Sequence, residues 1–314
     1  MAMTVKSQFI GVDVSKDHLD ICIDQETTST RIANQPRDIN RWLKSLPAGP
    51  ACLALEATST YHLELAVRAY KAGLTVYLID GYRLNRYRDS IGQRAKTDAA
   101  DAQLILRYLQ REQDSLKPWT PPAKAYLRLQ SLLRRRALLV KSKTAIRQSF
   151  RLLPELQRSG KALVKKIENL DRQIVRQILK TLTEAGWQPD FQRCRAIEGF
   201  GEVISAAMTM AFHRGPFKSS DAFVAFLGLD VRVRDSGTRR GKRKLTKKGD
   251  PELRRLLYLA AMNAIKYGQW KVLYQRYLDR GFKKTQALII IARKLARLAF
   301  ALMKNQDEYR PVSA

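Results

Sequence analysis

Apolar and polar positions alternate with a period of two near the start of the chain. Over residues 8–14, Ile10, Val12 and Val14 interleave with Gly11 and Asp13, the pattern of a half-buried strand. Ser15, Lys16, Asp17 and His18 read as a turn, and Leu19, Ile21 and Ile23 resume the alternation, so a hairpin is expected. Residues 27–32 are rich in β-branched side chains and predict a third strand; residues 38–46 suit a short helix. The apolar run 51–55 predicts a buried strand ending at Glu56. Thr60 is expected to cap a helix that runs to Lys71 and is ended by Gly73. A further strand over 74–79 and a long helix carrying residues 98–109 complete this region.

Further along, the period changes. Leu132, Leu139, Ile146 and Leu153 recur every seven residues, with Leu129 and Phe150 on companion positions and Arg136 and Lys143 interrupting that second row. Pro154 breaks the pattern, and Leu163, Ile167, Leu170, Ile174, Ile178 and Leu182 resume it in steps of three and four. Two amphipathic helices follow from this, as an antiparallel coiled coil, an intermolecular one, or ordinary bundle helices. From about residue 191 the chain reads as helical with basic loops. Asp250 followed by Pro251 predicts a helix start, with Leu253, Leu256, Leu257, Ala260, Ala261 and Ala264 as its apolar face. Thr285 is expected to cap a last helix ending near Met303.

Charge sharpens the division. Of 314 residues, 58 are Lys or Arg and 29 Asp or Glu, a formal net charge of +29. Residues 1–119 hold 16 basic and 14 acidic side chains, residues 120–314 hold 42 and 15. Pro118, Pro121 and Pro122 mark the change. The expected organisation is therefore 1–119, a mixed α/β domain; 120–190, a helical spacer or dimerisation segment; and 191–314, a mainly α domain. The basic excess would repel itself in a compact fold unless a polyanion neutralises it. A nucleic acid is the leading partner and an anionic membrane surface the runner-up. The latter is disfavoured because the cations lie mostly in loops and not along one amphipathic helix. Cys22, Cys52 and Cys194 are scattered, which argues against a disulfide framework or a zinc site. With no apolar leader and no run of about 18 apolar residues, a soluble intracellular protein is expected.

Four carboxylates stand out by position. Asp13 lies on the strand face opposite Ile10 and Val12, Glu56 follows a strand directly, and Asp98 and Asp101 are three apart on a helix and share a face. Ionised carboxylates held together are costly without a cation. A hard dication such as Mg²⁺ takes oxygen ligands, and two can serve both oxygens of a phosphoryl displacement. Singly, each acid reads as a solvated surface or first-turn residue; Asp17, Asp20 and Asp24 are read as turn or exposed-face residues.

The basic half offers two more features. Seven of the ten residues from 239 to 248 are Lys or Arg: Arg239, Arg240, Lys242, Arg243, Lys244, Lys247 and Lys248. A charge run is usually a solvated face, but this density in a glycine-bearing loop favours phosphate contact. Gly199 and Gly201 mark a turn between two helices, either a packing turn or one whose amides approach phosphate.

The runs FIGVDVSKDHLDICI, LEATSTYH and RAKTDAADAQLI, taken together, resemble the DEDD insertion-sequence transposases related to the Piv invertase, which are bridge-RNA-guided serine recombinases. The resemblance covers nearly the whole chain, with residues 11–16 and 96–102 as the most specific matches. It implies a ribonuclease H/RuvC-like α/β domain, a coiled-coil middle segment, and a C-terminal transposase domain with a helix-hairpin-helix-like motif at Gly199 and Gly201. The family's acidic residues carry over to Asp13, Glu56, Asp98 and Asp101, with Mg²⁺ or Mn²⁺ as cofactor. Its nucleophilic serine carries over to Ser236, at the head of the basic loop. Implied partners are donor and target DNA and a non-coding guide RNA; the long helical segment, which separates Ser236 from the four carboxylates, leads to the further expectation of a homo-oligomer, a dimer or tetramer, with composite active sites. Asp235 departs from the glutamine or other polar residue of many relatives, and is either a base or a partner for Arg234. The competing readings are a hydrolytic nuclease or junction resolvase, in which Ser236 is structural, and a nucleic-acid-binding scaffold without catalysis.

Overall fold

Gln8–Val14 forms β1, the middle strand of a five-stranded sheet of order β3-β2-β1-β4-β5. β1 pairs antiparallel with β2 (His18–Ile23), and β2 with β3 (Thr30–Ala33). On its other side it pairs parallel with β4 (Ala51–Glu56), and β4 with β5 (Thr75–Ile79). The computed structural model describes residues 7–24, 29–57, 60–93, 97–232, 235–236, 239–241 and 243–311. The chain divides into two compact units, residues 1–121 and 122–314.

Alternation sorts the first unit into two cores. Ile10, Val12 and Val14 pack on one face with Ile39 and Trp42 of α1 (Pro36–Ser45) and with Leu65, Ala66 and Ala69 of α2 (His62–Lys71). On the opposite face Cys52, Ala54, Tyr77 and Ile79 meet Leu84 of α3 (Gly81–Ser90) and Leu104, Ile105, Tyr108 and Leu109 of α4 (Asp98–Glu112). Gly11 faces α4 so closely that a Cβ there would overlap the Ala102 carbonyl and the Leu106 amide. Gly11→Ala therefore pushes α4 off the sheet. Overpacking of this kind costs about 1–3 kcal/mol, expected as a fall in Tm of about 5 °C or more. A Tm equal to that of the wild type by circular dichroism would contradict the tight seat of α4.

Several expectations need correction. The third strand begins at Thr30, and residues 27–28 of the expected run lie outside the described residues. Thr60 does not cap α2: the N-cap is Tyr61, with no side-chain hydrogen bond. α3 was not anticipated, because its only buried side chain is Leu84; Asp80 caps it by accepting from the amides of Tyr82 and Arg83. Asp20 is buried, not exposed, for a reason given below. In the second unit Thr285 lies inside the last helix, whose N-cap is Lys283.

The second unit opens with a hairpin of two long helices, α5 (Lys124–Ser149) and α6 (Gln157–Glu184), joined by two 3-10 turns, the second starting at Pro154. The cations that interrupt the heptad rows have partners across the hairpin. Arg136 Nε lies 3.0 Å from Asp171 Oδ1, and Lys143 Nζ and Arg147 Nη2 lie 3.6 and 2.7 Å from Glu168 Oε1. The hairpin is thus antiparallel and within one chain. Its root, through Leu129, Leu132, Leu133, Ile178 and Leu182, shares one core with α7 (Gln188–Arg195), α8 (Glu202–Phe212), α9 (Ser220–Phe226), α10 (Pro251–Ala264), α11 (Gly268–Asp279) and α12 (Lys284–Asn305). All six apolar positions expected for α10 are buried, and Asp250 Oδ1 accepts from the Glu252 amide at its start. Among the described residues no helix is long and apolar enough to cross a membrane.

Candidate active site

Strand register gathers the acidic residues. Asp13 is directly opposite Asp20, and Asp20 is opposite Arg31, so the three stand in one row across β1, β2 and β3. Asp13 and Glu56 are the next residues after the Val12–Leu55 pair on adjacent parallel strands. The two-residue period puts Asp13 with Gly11, and Glu56 with Cys52 and Ala54, on the face covered by α4. α4 begins at that end of the sheet. Thr97 Oγ1 accepts from the Ala100 amide and fixes the first turn, which carries Asp98 and Asp101.

The electrostatics follow from this crowding. Burial, reinforced by Asp101, Asp98, Glu56 and Asp20 in that order, pushes the Asp13 carboxyl up to about 6. Like charges directly opposite on neighbouring strands destabilise a sheet, and Asp20 is compensated by a fork from Arg31: Nε at 2.9 Å from Oδ1 and Nη2 at 3.1 Å from Oδ2. Arg31 Nη2 also lies 2.9 Å from Asp98 Oδ2. Arg88 of α3 reaches Asp101, Nη2 to Oδ1 at 2.6 Å. Glu56 lies against the first residue of α3, where a Cβ on Gly81 would overlap its Oε1; glycine leaves room for the carboxylate.

In donor type this set fits a hard dication: four carboxylates on one face, one of them raised by burial and further by its neighbours, and a glycine at position 81 that leaves room for Glu56. The spacing is more open, since among the described residues no three His, Cys, Asp or Glu side chains converge to hold one ion. Sequence reasoning missed three residues that shape the site: Asp20, Arg31 and Arg88.

Ser236 stands on a different device. The expected basic loop is a ribbon: β6 (Val231–Arg232) pairs antiparallel with β9 (Lys244–Leu245), and beyond them β7 (Asp235–Ser236) pairs with β8 (Arg239–Arg240). Ser236 is exposed and opposite Arg239. Lys242, Arg234 and Gly237 lie outside the described residues. At the ribbon's base Thr246 donates to Asp230, and its amide to the Asp230 carbonyl at 3.0 Å. Gly228, with φ of +68°, and Gly249 pack closely: a Cβ on Gly249 would overlap the Phe226 carbonyl and the Gly228 amide, and one on Gly228 would crowd the Gly249 amide and the Arg254 guanidinium. Lys247 adopts a left-handed φ of +57° between the ribbon and Gly249. The ribbon is thereby rooted on the buried Leu227 and Leu229. Each of its cations that touches duplex phosphate contributes about −0.9 to the slope of log affinity against log salt. Replacing Arg240, Arg243 and Lys244 with Ala is expected to flatten that slope by about two to three units; an unchanged slope would make the ribbon a solvated face.

The glycine turn joins α7 to α8. Gly199 (φ +85°) needs its small size for packing, since a Cβ would overlap the Ala260 carbonyl and Ala264 amide of α10. Gly201 caps α8 without a side-chain bond and borders a cleft of about 230 Å³ with Asn263, Lys266 and Tyr267.

Two stretches of the chain match known transposase families. Residues 10–158 match the DEDD transposase profile of IS110 type, and residues 192–275 match that of the "Transposase IS116/IS110/IS902 family". Together they span about three quarters of the chain. The chain belongs to this IS110-type transposase family and is an enzyme acting on DNA. It is 26% identical to a pilin gene-inverting protein of Moraxella bovis over 96% of this chain and 97% of that protein. It is 25% identical to a probable family 20 transposase of Pseudomonas aeruginosa (96% and 98% of the two chains), and 25% identical to the transposase for insertion sequence element IS1111A of Coxiella burnetii (96% and 91%). T. thermophilus RuvC in complex with a Holliday junction substrate aligns over 36% of this chain and 100% of that one, at 16% identity and a TM-score of 0.26.

Proposed function

We propose that this transposase cuts and rejoins DNA through a covalent phosphoserine intermediate, with residues 1–119 as a RuvC-like catalytic domain, 120–190 as a spacer, and 191–314 as the domain that supplies the serine. The observation that carries the reading is the gathering of Asp13, Glu56, Asp98 and Asp101 at one end of one sheet face, where burial, reinforced by the neighbouring carboxylates, raises the Asp13 carboxyl to about 6. Those four carboxylates would hold Mg²⁺ or Mn²⁺, which when bound supplies positive charge for the oxygens of phosphoryl displacement. Ser236 Oγ forms the new bond to phosphorus while the bond to a DNA oxygen breaks; the serine gives up its proton and the departing oxygen takes one. The cations of the ribbon stabilise the alkoxide and the transition-state charge. The ester conserves the phosphodiester's bond energy for rejoining. A guide RNA would account for part of the +29 charge. The exposed Leu138, Leu152, Leu163 and Leu170 of the long hairpin favour assembly into a homo-oligomer. The protein would work in the cytoplasm, on the nucleoid.

The experiment is to purify the protein from cells carrying its native locus, sequence the bound RNA, and denature reactions with labelled DNA. A specific co-purifying RNA and a protein–DNA adduct that survives denaturation are expected. Cleavage without an adduct would instead establish the hydrolytic reading, with Ser236 structural.

A further inference from the structure

The arginines at the acidic site are placed where a metal's charge is needed. Arg88 and Asp101 are both largely buried, with side chains 12% and 16% exposed, and meet end-on through a single contact of 2.6 Å. The rest of the Arg88 guanidinium is poorly served: Nη1 donates to Asn85 Oδ1 at 3.1 Å, and Nε is buried with no hydrogen-bond partner. Arginine–carboxylate pairs are frequently bidentate, as Arg31 is with Asp20. Arg31 uses the same Nη2 to reach across to Asp98. Thus one arginine engages each carboxylate of the α4 pair, and among the described residues no three acidic groups converge.

We propose that the acidic site is loaded by cation exchange: Arg88, assisted by Arg31, occupies the α4 carboxylates in the metal-free protein, and a divalent cation must displace it to draw Asp101 and Asp98 toward Asp13 and Glu56. This rests on the reading of those four carboxylates as the metal site. Arg88 is in this scheme a positioning residue. It keeps mutually repelling carboxylates neutralised before loading, and it sets a threshold that the metal must overcome. Asp20 holds Arg31 on β3 when its contact with Asp98 is given up, so only Arg88 needs a new environment.

The test uses the full chain and Mn²⁺ or Mg²⁺ alone, followed by calorimetric titration and by the metal-induced shift in Tm. Arg88→Gln removes the competitor and is expected to tighten Mn²⁺ binding about five- to tenfold, by linkage between two cations competing for one carboxylate. Arg88→Lys, which restores the charge, returns affinity toward that of the wild type. Arg83→Gln, on the same helix without a carboxylate partner at the site, controls for loss of general positive charge and leaves affinity unchanged. In case Arg88→Gln disturbs folding, the wild type carries its own test: side-chain NMR of arginine Nε–H groups should show the Arg88 signal move on adding Mg²⁺, and stay still in Asp101→Asn. Equal or weaker Mn²⁺ binding by folded Arg88→Gln, or an Arg88 signal that metal leaves unmoved although metal binds, overturns the exchange. If the wild type binds neither ion, and Asp13→Asn changes nothing, the metal reading itself fails together with the exchange.

Discussion

Ser236→Ala is expected to abolish the covalent DNA adduct and recombination, while leaving binding to nucleic acid and folding unchanged. The hydroxyl is on an exposed ribbon position, so its loss removes chemistry without buried packing. Without a nucleophile the fall in rate should be at least about a thousandfold. Ser236→Cys retains a weaker adduct, because a thiol can attack phosphorus but is a poor match for a site built around oxygen. Denaturing gels of labelled DNA after reaction read the adduct directly. An adduct formed by Ser236→Ala would place the nucleophile elsewhere. Because the serine and the carboxylates belong to different domains, mixing Ser236→Ala with Asp13→Asn subunits is also informative. We expect partial activity from pairs in which one subunit contributes its carboxylates and the other its serine. No recovery in demonstrably mixed oligomers would mean that each subunit completes its own site.

Asp13→Asn is expected to cost strand cleavage about a hundredfold or more, since even indirect supports of a metal site commonly matter by 10–100-fold, and to keep nucleic-acid affinity. Its effect on stability has the opposite sign. In the metal-free protein the Asp13 carboxyl is raised from 3.8 to about 6, so the folded state binds its proton more tightly than the unfolded chain does. This contribution to stability is complete below about 3.8 and is lost as pH rises through about 6. Asn at this position cannot ionise, so denaturant titrations of the variant should lose that downward slope between pH 4 and 6. A variant that cleaves at the native rate in Mg²⁺ would remove Asp13 from the site.

The sequence made Asp13 and Glu56 legible through strand alternation and strand ends, because a period of two reports facing without any knowledge of neighbours. The α4 pair was legible because three residues on a helix share a side. What stayed hidden depended on register. Asp20 follows Leu19 in an alternating strand, and reads as the solvent side of a hairpin only if that face is open; α4 covers it, and the Asp20–Arg31 fork makes burial tolerable. Counting back from the short turn after Val14 places Asp20 opposite Asp13, which was the available signal. Arg88 lay in a helix that sequence periodicity did not reveal, with Leu84 its one buried side chain. The basic run was visible as charge, but its pairing into a ribbon rests on two-residue strands too short for any periodic pattern.

The charged steps in the long helical hairpin act as a ruler. Leucine rows alone would let α6 slide along α5 by seven residues and repack almost as well. Such a slide would bring Arg136 opposite Val164 or Ile178 in place of Asp171, and Lys143 and Arg147 opposite Lys161 or Val175 in place of Glu168. Either slide therefore strands a half-buried cation or sets like charges together. The arm has one length, and whatever it carries or contacts at its tip is held at a fixed distance from its root. Exchanging Arg136 and Asp171 for leucines would be expected to raise the melting temperature and, in the same stroke, to erase the scale on which that distance is measured.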